Sequence, residues 1–250
     1  MQKTIAVINN KGGTGKTTTV LNLGAALAKQ KKRVLLIDLD TQSNLTQSLQ
    51  VQNTENHIGK VLLSRCDIKD AIVQVEGMDI IPSTDELLDF EFLINNEPGR
   101  EFLLRESIAN LEKEYDFILM DCPPSMGTLS INSLVAADSY IVPMQAENFA
   151  FIGLDRILQT AEKVKNRMNP KLELEGILFV KYQPRTKFGQ AVVSNIIQNQ
   201  QLKNKVFNSY IRQDIQLMET TAFGQSVFEY APKSRGAFDY INFAKELLNK

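Results

Sequence analysis

Residues Thr4–Asn9 (TIAVIN) lead into Lys11-Gly12-Gly13-Thr14-Gly15-Lys16-Thr17-Thr18-Thr19, after which Val20, Leu23 and Leu27 recur at helical spacing up to Lys29. A buried strand, a glycine-rich loop and a helix in that order leave few folds open. Three glycines let successive backbone N–H groups point into one concavity, with the positive end of the helix behind them. Such a cradle suits phosphate. In it Lys16 would reach the outer phosphates and Thr17 would ligate Mg2+. An ordinary glycine turn between strand and helix has no need of that lysine and threonine. The loop departs from G-x-x-x-x-G-K-[ST] at two places: Asn10 stands where the first glycine belongs, and an extra lysine, Lys11, follows.

The rest of the chain repeats the strand–helix alternation. Arg33–Asp38, Met78–Pro82, Phe117–Asp121, Ser139–Pro143 and Leu174–Val180 read as strands, with Val206–Tyr210 a further candidate. Glu86–Ile94, Glu101–Lys113, Ser130–Ala137, Leu154–Arg167, Gln190–Gln200 and Gly236–Asn249 read as helices. Apolar strands separated by helices predict an α/β fold, a mostly parallel twisted sheet with helices on both faces. No linker divides the chain, so residues 1–250 are expected to form one P-loop domain. Ligands of such sheets bind at the carboxyl ends of the strands. Asp38 and Asp40 follow one apolar strand and Asp121 another. All three should gather on the edge that carries the glycine loop, where Mg2+ needs a carboxylate.

Composition narrows the function. No apolar run is long enough to cross a bilayer, and the start of the chain lacks the pattern of a secretory signal, so a cytoplasmic protein is expected. Two cysteines without CxxC spacing, Cys66 and Cys122, fit a reducing compartment and carry little metal signal. The single histidine, His57, sits among polar residues and reads as a surface side chain. The net charge of −1 hides an asymmetry: residues 181–250 hold ten Lys/Arg against five Asp/Glu. That permits a basic face on the C-terminal part, although a plain solvated surface has the same composition.

Four segments, KGGTGKTTT, VLLIDLDTQSN, FILMDCPPS and VPMQAENFAFIGL, together with FGQSVFEYAPKSRGA near the C-terminus, resemble the ParA/Soj family of deviant Walker ATPases. The resemblance runs from residue 4 to about residue 248. It implies ATP and Mg2+ as ligands, and Lys11, Gly12, Gly13, Thr14, Gly15, Lys16, Thr17 and Thr18 as the nucleotide-binding loop. Lys11 takes the place of the family's signature lysine, which reaches into the site of a second, facing subunit. Asp40 matches the residue that orients the attacking water. Asp121 matches the Walker B carboxylate near Mg2+, with Thr17 as a metal ligand and Asp38 as a supporting member. Lys11, Lys16 and Asp40 would be the catalytic residues. Thr41 stands where the family usually has proline, and Pro123 and Pro124 would stiffen a second switch.

The same resemblance implies an ATP-dependent homodimer that binds double-stranded DNA without sequence preference. Hydrolysis, stimulated by a ParB-like adaptor, would release it and so segregate a plasmid or chromosome. Nucleoid association is then expected. Arg185 aligns with a family arginine implicated in DNA contact, and Lys187 is a further candidate; Gln216 stands where a second family arginine is expected, for which Arg212 would compensate from a shifted position or else belong to the nucleotide-base pocket. The chain starts directly on its first strand, leaving no room for an N-terminal helix-turn-helix domain. The main alternative is a MinD-like membrane-associated ATPase, but its terminal amphipathic helix would need more basic residues than Arg235–Lys250 offers. The redox relatives of nitrogenase iron-protein type need a cysteine pattern that Cys66 and Cys122 do not make.

Overall fold

The computed structural model describes residues 2–147, 150–200 and 202–250. Seven strands make one sheet: β1 (Lys3–Val7), β2 (Val34–Asp38), β3 (Val73–Val75), β4 (Met78–Ile81), β5 (Phe117–Asp121), β6 (Ser139–Met144) and β7 (Glu173–Phe179). Their order is β3-β4-β2-β5-β1-β6-β7, all parallel except β3, which pairs antiparallel with β4 at the edge. β2, β5 and β6 are buried along their whole length, as parallel strands covered on both faces must be.

Among the described residues, eleven α-helices and a 3-10 turn (Ile68–Ala71) connect and cover the strands: α1 (Lys16–Lys29), α2 (Asn44–Ser48), α3 (Ile58–Leu62), α4 (Leu87–Ile94), α5 (Leu103–Ala109), α6 (Thr128–Ala136), α7 (Ala150–Arg167), α8 (Lys187–Gln198), α9 (Ile215–Phe223), α10 (Val227–Tyr230) and α11 (Arg235–Leu248). Two apolar cores lie on opposite faces of the sheet. One contains Ile58, Phe90, Leu104, Leu129 and Ile157; the other contains Leu23, Leu27, Phe228, Tyr240 and Phe243. The helix α11 belongs to the second core, burying Ala237, Tyr240, Phe243, Ala244 and Leu247 against α1. Its apolar face is therefore spent on the protein, as its composition predicts.

The fold matches the alternation expected from sequence, with physical differences. Val206–Tyr210 does not become a strand. Val206 and Phe207 meet Ile177, but the amides of Asn208 and Ser209 go to the Glu246 carboxylate on α11 (both 2.7 Å), which interrupts the ladder. The predicted Glu101–Lys113 helix is confined to α5. The short elements β3, α2, α3 and α10 lack the length for a periodic signal.

His57 is a correction: it is 1% exposed, capping α3 with its ring edge-on to Phe90 at 5.1 Å. Its polar sequence neighbours, Glu55 and Asn56, face away while its ring faces the core. Burial holds its pKa below the ordinary histidine value, with the Glu86 carboxylate 3.5 Å from Nε2 acting the other way.

Candidate functional site

The carboxyl ends of β1, β2 and β5 form one edge because the strands lie side by side in register: Val7 opposite Asp121, and Asp121 opposite Asp38. The loop from Ile8 to Gly15 rises over that edge. Gly13 (φ 73°) and Gly15 (φ 77°) take the left-handed conformation that turns the chain back into α1. Beyond Gly12 and Gly13 there is open space, so added side chains would project into the concavity rather than strike protein. Asn9 pins the loop at its root, donating to the Pro143 carbonyl (2.7 Å) and accepting from the Lys11 amide (3.0 Å). The Thr14 hydroxyl closes the turn on the Lys11 carbonyl.

A cavity of about 510 Å³ opens in front of this loop. It is lined by Gly12, Gly13, Gly15, Lys16, Thr17 and Thr18 on one side and by Asp40, Pro124, Lys181 and residues 211–214 around the rest. The two lysines of the loop differ sharply. Lys16 is 6% exposed, and its ammonium reaches back to the Lys11 carbonyl (3.2 Å). Burial lowers its pKa, while Asp121, Cys122 and Asp40 act to keep it charged. Lys11 is exposed and its ammonium rests on Glu147 of the same chain. Beneath it lies a second, smaller hollow lined by Asn10, Met144, Gly153 and Leu154. Within the VPMQAENFAFIGL segment, Asn148 and Phe149 lie outside the described residues.

The carboxylates divide the work. Asp38, fully buried, accepts from the Thr46 amide (2.9 Å), the Thr46 hydroxyl (2.7 Å) and the Asp40 amide (3.1 Å). Burial raises its pKa to about 6, with those donors opposing the rise. Both oxygens being engaged, Asp38 holds the loop after β2, which fits the supporting place in the metal cluster expected for it. Asp40 lines the cavity. One of its oxygens accepts from the Gln42 amide (3.0 Å), and its carbonyl accepts from the Ser83 hydroxyl (2.8 Å).

Asp121 is also fully buried, yet neither of its oxygens has a hydrogen-bond partner. Burial and the neighbouring Asp38 charge push its pKa well up; the Thr17 hydroxyl, close by but without a hydrogen bond of good geometry, and the Lys16 charge pull the other way. A buried carboxylate without a donor carries a large penalty unless a cation meets it.

Beside it, Cys122 donates to the Ser133 hydroxyl (3.0 Å), and burial pushes its thiol pKa up to about 12. That makes it an inert packing residue.

Of the expected DNA-contact residues, Arg185 and Lys187 are exposed at the start of α8, and among the described residues neither has a carboxylate partner. Arg212 is a correction. Its guanidinium forks onto Asp239 of α11 (2.6–3.1 Å) and lines the cavity, which favours the nucleotide pocket over the DNA face as its place. Sequence reasoning also missed Thr46 and Ser83, which wire Asp38 to Asp40; Lys181, which the sequence offers only as a further DNA-contact candidate, donates to the Gly13 carbonyl (3.3 Å). Thr46 lies eight residues from Asp38 in no motif, so nothing in the sequence could single it out.

Comparison with known proteins gives a consistent result. A family described as an AAA domain matches residues 2–174. The sporulation initiation inhibitor protein Soj of Bacillus subtilis is 38% identical over 99% of this chain and 98% of its own length. The chromosome partitioning protein ParA of Myxococcus xanthus is 36% identical over 98% of this chain and 88% of its own. Among solved structures, a Mycobacterium smegmatis protein described as cobyrinic acid a,c-diamide synthase, with bound ADP and magnesium, superposes with a TM-score of 0.87 at 36% identity, covering all of this chain and 95% of its own. The septum site-determining protein MinD of Pyrococcus horikoshii, complexed with Mg-ADP, gives 0.79 at 26% identity, covering 99% of this chain and 96% of its own.

Proposed function

This chain belongs to the ParA/Soj family of partition ATPases, and from that premise we propose that it binds Mg-ATP in the 510 Å³ cavity, dimerises around it, holds DNA in that state and releases it on hydrolysis. The observation that carries the reading is Asp121, a fully buried carboxylate with no donor, at the foot of a phosphate cradle beside Thr17 and Lys16. That donor set fits magnesium, which takes one or two carboxylates, a hydroxyl and phosphate oxygens, and needs no cage of protein ligands.

When bound, Mg2+ offsets the charge of the outer phosphates. The chain's own groups do the rest. Amides of Gly12–Thr18 receive the phosphate oxygens at the positive end of α1. Lys16 neutralises the transferring group from a dry position, and Asp40 orients the attacking water. Lys11 leaves Glu147 and puts its charge on the nucleotide of the facing subunit, so the nucleotide itself joins the dimer.

DNA binding falls to the exposed cations Arg185 and Lys187, doubled by dimerisation. A ParB-like adaptor stimulates turnover, and the protein acts in the cytoplasm on the nucleoid. The MinD-like alternative gains no support, since α11 spends its apolar face on α1.

Duplex DNA binding measured with ATP, ADP and no nucleotide, across salt, tests the reading. ATP-dependent binding should survive in Asp40→Ala and vanish in Lys11→Ala. Arg185→Ala should weaken it for every sequence and reduce the salt slope by about 1. Dimerisation with ATP but no DNA binding at any salt would overturn the partition role.

A further inference from the structure

The most exposed large apolar residue of the described chain lies away from the cavity, on α4. Phe92 is 72% exposed, Leu88 one turn earlier is 64% exposed, and Leu93 beside them is 39% exposed. The opposite face of α4 is ordinary core: Leu87, Phe90 and Ile94 are buried. A helix already docked through one face gains nothing by presenting a second apolar row to water.

That row is rimmed by charge of one sign. Asp85, Glu86, Asp89 and Glu97 are exposed around it, and no lysine or arginine occurs between Asp70 and Gly99. The cations that come near are engaged: Arg65 lies over the Phe90 ring (5.0 Å), and Arg100 is held by the Asn95 carbonyl and Glu101 (3.2 Å). Asp85 and Asp89 are four residues apart, as are Leu88 and Phe92, so an acidic row runs beside the apolar one.

Two contacts tie α4 to the cavity. At its lead-in, the Ser83 hydroxyl donates to the Asp40 carbonyl (2.8 Å) and the Ser83 amide to the Thr46 hydroxyl (2.9 Å), which in turn holds Asp38. At its far end, Asn95 accepts from the Thr128 hydroxyl. Thr128 begins α6, directly after the Pro123–Gly127 segment that borders the cavity through Pro124. The helix therefore touches the loop carrying Asp40 and the loop following Asp121.

We propose that the solvent face of α4 docks a positively charged segment of the hydrolysis-stimulating adaptor, one that presents its own apolar residues to Leu88 and Phe92. This rests on the adaptor-dependent ATPase proposed above. The acidic rim selects the occupant. It repels a second copy of the same face, a nucleic-acid backbone and an anionic bilayer, and attracts a basic protein segment. Occupancy reaches the chemistry by moving Ser83 against Asp40 and Asn95 against Thr128 at the start of α6.

The test measures ATP turnover of the full chain with duplex DNA and increasing full-length ParB-like adaptor from the same genome. Leu88→Ser/Phe92→Ser should keep basal turnover and ATP-dependent dimerisation while adaptor stimulation falls about tenfold, as for an interface anchor. Asp85→Asn/Asp89→Asn should raise the half-maximal adaptor concentration and flatten its salt dependence. Hydrogen exchange with adaptor present should protect residues 85–97. Stimulation of both variants equal to the native chain, or protection confined to another face, would overturn the docking site and leave the ATPase reading intact. A native chain that no adaptor stimulates would overturn the adaptor reading and the docking site with it.

Discussion

Asp38 and Asp121 sit opposite each other in adjacent strands, equally buried, at the same height in the sheet. One has three protein donors and the other has none. Register alone therefore does not assign a carboxylate its work. Asp38 spends its charge inside the protein, fixing the backbone that carries Asp40. Asp121 makes no hydrogen bond within the protein and lies next to Thr17 and Lys16, which do line the cavity.

The widest way to break this comparison is Asp121→Asn. If the carboxylate is held for Mg2+, ATP turnover should fall about 100- to 1,000-fold. The nucleotide-free protein should melt at a higher temperature, because an unmet buried charge has been removed. A lower melting temperature with normal turnover would mean that Asp121 is a structural group like its partner. Asp38→Asn should behave in the opposite sense. An amide cannot accept from all three donors, so urea unfolding should show a loss of about 1–3 kcal/mol. Turnover would fall only as far as Asp40 loosens. Thr46→Val sharpens the same point at smaller scale, removing one bond to Asp38 and the acceptor of the Ser83 amide. A cost of about 1–2 kcal/mol is expected, and less in an Asp38→Asn background, since the two share one network.

His57 shows when a missing partner carries no such meaning. Both of its ring nitrogens are buried and, like the oxygens of Asp121, make no hydrogen bond; the Glu86 carboxylate stands off at 3.5 Å. Yet its ring packs on Phe90, away from the phosphate loop, whereas Asp121 has Thr17 and Lys16 of the cavity wall beside it. An unmet polar atom points to a ligand only where its neighbours line a ligand-sized cavity. Burial lowers the His57 pKa, so the folded chain favours the neutral ring. That contribution is complete above the unfolded value near 6.5 and is lost as pH falls below it. His57→Gln should flatten this acid-side loss, read as urea midpoints at about pH 7.5, 6.0 and 5.0, a range that brackets the ordinary histidine value. An unchanged pH profile would show that the ring titrates as if exposed.

Much of the fold and of the phosphate-binding edge is legible in the sequence by itself. Thr4–Asn9, Phe117–Asp121 and the loop Lys11–Thr18 carry their signal in consecutive residues, because a buried parallel strand must be apolar throughout and a phosphate cradle must be glycine-rich. The helix α11 is legible for a related reason, its apolar residues recurring at one face. Tertiary structure decided the rest. It distinguished Asp38 from Asp121 through Thr46, drew Arg212 onto Asp239, turned the His57 ring inward, and left Leu88 and Phe92 outward on a helix whose other face is core. Each depends on a neighbour distant in the chain: a side chain's burial and its partner are set by what packs across from it, and composition and local spacing do not encode that.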